Sequence, residues 1–145
     1  MPRAVAGWAL TVALLAGCGG SDDPATAPVR SAAGSIAIAV RYDDGGGGRV
    51  RTGRLTCTAG EQRATGALAD RAPAARLCTQ ARTIAPLFFK QRGGRVACTQ
   101  LYGGPQTLRV TGTIDGRAVN RRFARTNGCE IADFARVAGA LPVTR

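Results

Sequence analysis

The chain contains no histidine, and its only serines, Ser21, Ser31 and Ser35, lie near the N-terminus. Those absences remove His-dependent serine or cysteine hydrolysis, His-ligated zinc and most imidazole acid–base chemistry. Acidic residues are also scarce: nine among 145 residues are too thinly spread to favour a buried pair of catalytic carboxylates. Aromatic residues make up only 5% of the chain, so a core must be built mainly from aliphatic side chains. No Cys-x-x-Cys occurs, which argues against a metal cluster or a thioredoxin-like redox site. The composition therefore points away from an enzyme, and no metal or cofactor is expected.

What is present begins with a leader. Residues 1–17 carry one early positive charge at Arg3, an apolar run through Trp8, Leu10, Val12, Leu14 and Leu15, and a small-residue end. The run is too short for a permanent membrane span and reads as an export signal. It finishes Leu15-Ala16-Gly17-Cys18, which resembles the lipobox of bacterial lipoproteins, where cleavage precedes a cysteine that is then lipidated. Residues 18–33 follow, opening on a stretch of small, polar and proline residues without apolar periodicity, the composition of a solvated tether. The expected location is the outer face of the cell membrane or the extracellular space.

Beyond the tether lie Cys57, Cys78, Cys98 and Cys129. In an exported chain an even set of cysteines implies two disulfides, with three connectivities open. Each bridge stabilises a fold by about 3 to 4 kcal/mol on loop-entropy reasoning, useful to a domain of this size with few aromatics.

Periodicity over residues 34–141 predicts strand, strand, helix, loop, hairpin, helix. Ser35 to Tyr42 alternates with Ile36, Ile38, Val40 and Tyr42 on one face. Asp43-Asp44 and the glycines 45–48 make a turn, and Arg49 to Cys57 returns as an antiparallel partner. A helix follows, with Asp70 or a neighbour as its cap, Pro73 in its first turn, Leu77, Cys78 and Ala81 on one side, and Pro86 limiting its extent. Thr107 to Ile114 alternates again, Asp115-Gly116 turns, and Arg117 to Ala124 completes a second hairpin. Cys129 to Ala138 places Ile131, Phe134 and Val137 or Ala138 near one helical face, with Gly139 as the stop. This pattern predicts an α+β domain, an antiparallel sheet with helices packed on one face.

Several segments together resemble the actinobacterial subtilisin inhibitor-like family. They are Leu55-Thr56-Cys57, Ala74-Ala75-Arg76-Leu77-Cys78, Cys98-Thr99-Gln100-Leu101-Tyr102 before a Gly-Pro turn, Gly112 to Val119, and Asn127-Gly128-Cys129-Glu130. The resemblance covers roughly residues 34–138. It implies a five-stranded sheet with two helices, disulfides Cys57–Cys78 and Cys98–Cys129, frequent homodimerisation, and inhibition of secreted subtilisin-like or trypsin-like serine proteases. By matching the family's pattern, the specificity residue is Gln100 and the reactive bond is Gln100–Leu101, with Cys98, Thr99 and Tyr102 in the loop and Asn127 supporting its base. Two departures stand out. Thr99-Gln100 replaces the Pro followed by Met or Lys common in the family, and the tail 138–143 lacks the usual aromatic ending, so a last strand is expected to be short or absent.

The arginine-rich balance, a formal charge of +11, carries a second reading. Arg41, Arg49, Arg51 and Arg54 fall on the first hairpin, and Arg109, Arg117, Arg121, Arg122 and Arg125 on or just after the second. Arginine suits phosphate and carboxylate recognition. Export and the scarcity of aromatics speak against nucleic acid, leaving an envelope-anchored module that binds anionic cell-wall polymers as the alternative to an inhibitor. The leader gives the first testable expectation. Cys18→Ser should move the protein out of the membrane fraction or block its maturation, read by fractionation and by the mass of the mature chain. Unchanged retention with normal cleavage would contradict lipidation at Cys18.

Overall fold

The computed structural model describes residues 34–91, 93–94 and 96–144; the leader, Cys18 and the tether lie outside the described residues. Seven elements follow in order: β1 (Ile36–Asp43), β2 (Arg51–Cys57), β3 (Gln62–Gly66), α1 (Ala74–Phe89), β4 (Thr107–Ile114), β5 (Arg117–Phe123) and α2 (Gly128–Ala140). The strands form one antiparallel sheet in the order β3-β2-β1-β4-β5, with β1 at its centre.

Alternation sets which face is buried. Ile36, Ile38 and Val40 of β1, Leu55 and Cys57 of β2, and Leu108, Val110 and Ile114 of β4 point inward and are buried. They meet Leu77, Ala81 and Phe88 of α1 and Phe134 and Val137 of α2 in a single core. The other face, which carries Ala37, Ala39, Arg41, Arg54 and Arg109, stays uncovered among the described residues. Both cysteine pairings implied by the resemblance are present. Cys57 and Cys78 tie β2 to α1 with Cα atoms 5.9 Å apart, and Cys98 and Cys129 join the loop before β4 to α2 at 5.5 Å.

The fifth strand is β3, which the hydrophobic pattern alone does not disclose. Gln62-Arg63-Ala64-Thr65-Gly66 has no fully buried residue, because it is an edge strand held by its ladder to β2. The tail after α2 forms no strand among the described residues, as expected from its lack of the family's aromatic ending, yet Leu141 and Val143 are fully buried.

Three local expectations are corrected. Asp70 does not cap α1: Pro73 occupies the N-cap with no side-chain cap, and its carbonyl accepts from Leu77 N–H at 3.2 Å. Pro86 does not end the helix, which continues to Phe89. An internal proline costs about 3 kcal/mol or more, and packing beyond it holds the last turn: Phe88 meets Phe123 edge-on with centroids 6.0 Å apart, and the Arg117 guanidinium lies 3.9 Å from the Phe89 ring centroid. Gly139 likewise lies inside α2, where burial of Ala140 and Leu141 draws the chain one residue further before Leu141 N–H closes on the Val137 carbonyl at 2.8 Å. The Asp115-Gly116 turn is as expected, with φ of 50° and 76°, the paired positive values of a type I′ hairpin.

Leu77 is fully buried between α1 and the sheet. Leu77→Ala should destabilise the domain by about 2 to 5 kcal/mol, measured by denaturant unfolding with the disulfides intact. The exposed Val50→Ala should change stability by less than about 0.5 kcal/mol.

Candidate functional site: a clamped loop at the start of helix α2

Residues 96–106 cross from α1 to β4 without regular secondary structure. Such a segment must find partners for its main chain or leave it to water, and here the start of α2 supplies several. Asn127 is the α2 N-cap: its backbone is extended, and its side-chain oxygen accepts from Glu130 N–H at 3.0 Å. The Thr126 hydroxyl bonds the Glu130 carboxylate, which fixes the entry to the helix from the other side. With that turn set, Gly128 N–H donates to the Thr99 carbonyl at 3.0 Å, and the adjacent Cys129 holds Cys98 through the disulfide. On the far side of the loop, Gly103 N–H donates to the Arg125 carbonyl at 2.7 Å.

Between these two anchor points stand Gln100, Leu101 and Tyr102. Their side chains are exposed, Leu101 at 63% and Tyr102 at 64%. The large apolar side chains exposed among the described residues are Val50, Val96, Leu101 and Tyr102, so three of them fall within seven residues of this loop. Exposed apolar groups concentrated on a tethered segment mark a contact surface more strongly than the same groups scattered singly.

Of the residues singled out from the sequence, Cys98 and Thr99 are anchors, and Gln100, Leu101 and Tyr102 form the free arch. Asn127 lies at the base, where its side chain accepts from Glu130 N–H of its own helix. Sequence reasoning missed Arg125, Gly103, Gly128 and Ile131 as parts of the site. Arg125 serves the loop twice: its carbonyl holds Gly103, and its guanidinium donates to Gln106 Oε1 at 2.7 Å while lying 5.7 Å from the Phe134 ring centroid. The two glycines allow close approach. A Cβ on Gly103 would come within 2.8 Å of Ile131 Cδ1, and one on Gly128 would collide with Thr99 Oγ1. The available signal was the position of these glycines, one just after Tyr102 and one just before Cys129, where backbone meets backbone.

No protein-family model matches the chain, and no curated protein matches it. Among solved structures the chain is similar to sermetstatin of Streptomyces caespitosus, determined in complex with Bacillus licheniformis subtilisin. The identity is 21%, the match covers 76% of this chain and 96% of that one, and the TM-score is 0.38, too low to transfer a function.

The clamp makes a specific prediction. Gly128→Ala should cost less than about 1 kcal/mol, because the new methyl meets only the hydroxyl of the exposed Thr99, which rotates aside, and Thr99→Ala in the same chain should remove that cost. A double-mutant cycle by denaturant unfolding reads the coupling. Strict additivity would mean that the Thr99 side chain does not touch residue 128.

Proposed function

We propose that this protein inhibits secreted serine proteases of the subtilisin-like or trypsin-like kind by offering residues 98–102 as a substrate-like loop, with Gln100–Leu101 as the reactive bond. The observation that carries the reading is the placement of the two main-chain anchors, Thr99 carbonyl and Gly103 N–H, on either side of that bond. The arch between them is exposed at Gln100, Leu101 and Tyr102. The resemblance to the subtilisin inhibitor-like family assigns the same bond.

The anchors explain how a peptide that enters a protease cleft escapes destruction. A loop already held in shape loses little conformational freedom on binding, so more of its contact energy appears as affinity. If the enzyme cuts Gln100–Leu101, the acyl side remains tied through Thr99 and the Cys98–Cys129 bridge, and the amine side through Gly103. The new amine therefore stays beside the acyl-enzyme at high effective concentration, and resynthesis competes with hydrolysis. The chain supplies no catalytic group in this scheme; the protease's own machinery is held in a reversible cycle.

Gln100 sets the specificity of that encounter. A neutral amide buried in an apolar S1 pocket without a partner costs roughly 1 to 3 kcal/mol, and it offers no cation to a pocket with a carboxylate at its base. The inhibitor is consequently tuned to a protease whose S1 pocket hydrogen-bonds a neutral polar side chain. We further propose that it works outside the cell, tethered through a lipid on Cys18 with residues 18–33 holding the domain away from the membrane; no described helix is long and apolar enough to cross a membrane.

Exchanging the single side chain tests the proposal. Gln100→Met fills an apolar pocket with an unbranched chain of similar length and should lower the inhibition constant against a subtilisin by roughly tenfold. Gln100→Lys should shift preference toward a trypsin-like enzyme. If neither variant nor the parent inhibits either enzyme while both disulfides are intact, the inhibitor reading is wrong.

A further inference from the structure

The uncovered face of the sheet is not evenly polar. Register places Arg41 of β1 directly opposite Arg109 of β4, and Arg109 directly opposite Arg122 of β5. Arg54 of β2 pairs with Ala39, two residues from Arg41 on the same face. Four neighbouring strands thus each contribute one exposed arginine to one side of the sheet. Adjacent strands lie about 5 Å apart, and like charges directly opposite one another destabilise a ladder.

Local compensation is slight. Arg41 pairs with Asp43 at 3.2 Å, in an ion pair whose members are 51% and 33% exposed. Arg109 donates to the neutral Asn120 Oδ1 at 2.8 Å and 3.2 Å. Arg54 and Arg122 have no hydrogen bond or ion pair among the described residues. Three of these arginines, Arg41, Arg54 and Arg109, line one shallow concavity of about 380 Å³, together with the threonines Thr52, Thr65 and Thr111.

We infer that this concavity is a binding site for an anion carrying linked phosphate groups, which lies across the strands from Arg54 toward Arg122. Guanidinium groups approaching from three separate strands suit a tetrahedral anion, which offers oxygens in several directions, better than a planar carboxylate that a single arginine can saturate. The concavity is several times larger than one phosphate, and the row continues beyond it to Arg122, so a chain of phosphates uses the site more fully than a single ion. The threonine hydroxyls add neutral donors at its walls. This site is on the face opposite the helices and does not depend on what the loop at residues 98–102 binds.

Titration calorimetry on the full-length protein with both disulfides formed tests the inference, using tripolyphosphate, orthophosphate and citrate as probes. Tripolyphosphate should bind with one site per chain, more tightly than orthophosphate or citrate, and more weakly as salt is raised. Arg54→Gln/Arg109→Gln should weaken it by roughly tenfold or more. The control Arg76→Gln/Arg136→Gln removes the same charge from the helices and should change binding by less than about twofold. Equal losses in the two double variants would overturn the inference by reducing the effect to net charge. Citrate binding as tightly as tripolyphosphate would overturn the phosphate assignment. A stable dimer in sedimentation that Arg54→Gln/Arg109→Gln dissociates, with no uptake of tripolyphosphate, would overturn it in favour of a second copy on this face.

Discussion

The bond between Cys98 and Cys129 joins a segment with no ladder of its own to the first turn of a helix whose position is fixed by Phe134, Val137 and the following Leu141 in the core. That connection transmits the rigidity of the packed layer to an exposed arch. The disulfide alone would leave the chain free to swing about one point. Gly128 N–H on the Thr99 carbonyl adds a second restraint beside it, and Gly103 N–H on the Arg125 carbonyl closes the far side. Two of these restraints, Gly128 N–H and the Cys129 half of the disulfide, sit on the first turn of α2, so the cap at Asn127 matters to the loop even though its side-chain bond is internal to the helix.

The same economy of partners governs the rest of the domain. With few aromatic residues, the core is a layer of aliphatic side chains between one sheet face and two helices, and the Cys57–Cys78 bridge lies within it. Two of the aromatics, Phe88 and Phe89, secure the turn that follows Pro86. Arginines take up part of the apolar work as well, with guanidiniums over the rings of Phe89, Phe123 and Phe134. Arg41, Arg54, Arg109 and Arg122 make up the row on the open sheet face.

Much of this architecture was legible in the sequence because burial there follows a simple period. Ile36, Ile38 and Val40 alternate cleanly, as do Leu108 and Val110, and Asp115-Gly116 specifies its turn through backbone chemistry alone. Edge strand β3 was not legible, since its hydrogen bonds to β2 do not require buried side chains and so leave no hydrophobic signature. Helix ends were misjudged at Pro86 and Gly139 for a related reason: tertiary burial of Phe88, Ala140 and Leu141 outweighed local propensity. At the loop, the resemblance pointed to Cys98 through Tyr102 and to Asn127. The residues that clamp it, Arg125, Gly103 and Gly128, act through main-chain groups or through the absence of a side chain, which residue type advertises poorly.

The central claim is that the loop is restrained on both sides of Gln100–Leu101, so that cutting it does not release it. The direct measurement is mass spectrometry of the protein during prolonged incubation with an equimolar subtilisin, before and after reduction of the disulfides. The account predicts a plateau at which intact chain coexists with a form heavier by one water, separating on reduction into two fragments that meet at Gln100–Leu101. Progressive loss to many small peptides, or a stable product cut elsewhere in residues 96–106, would contradict it.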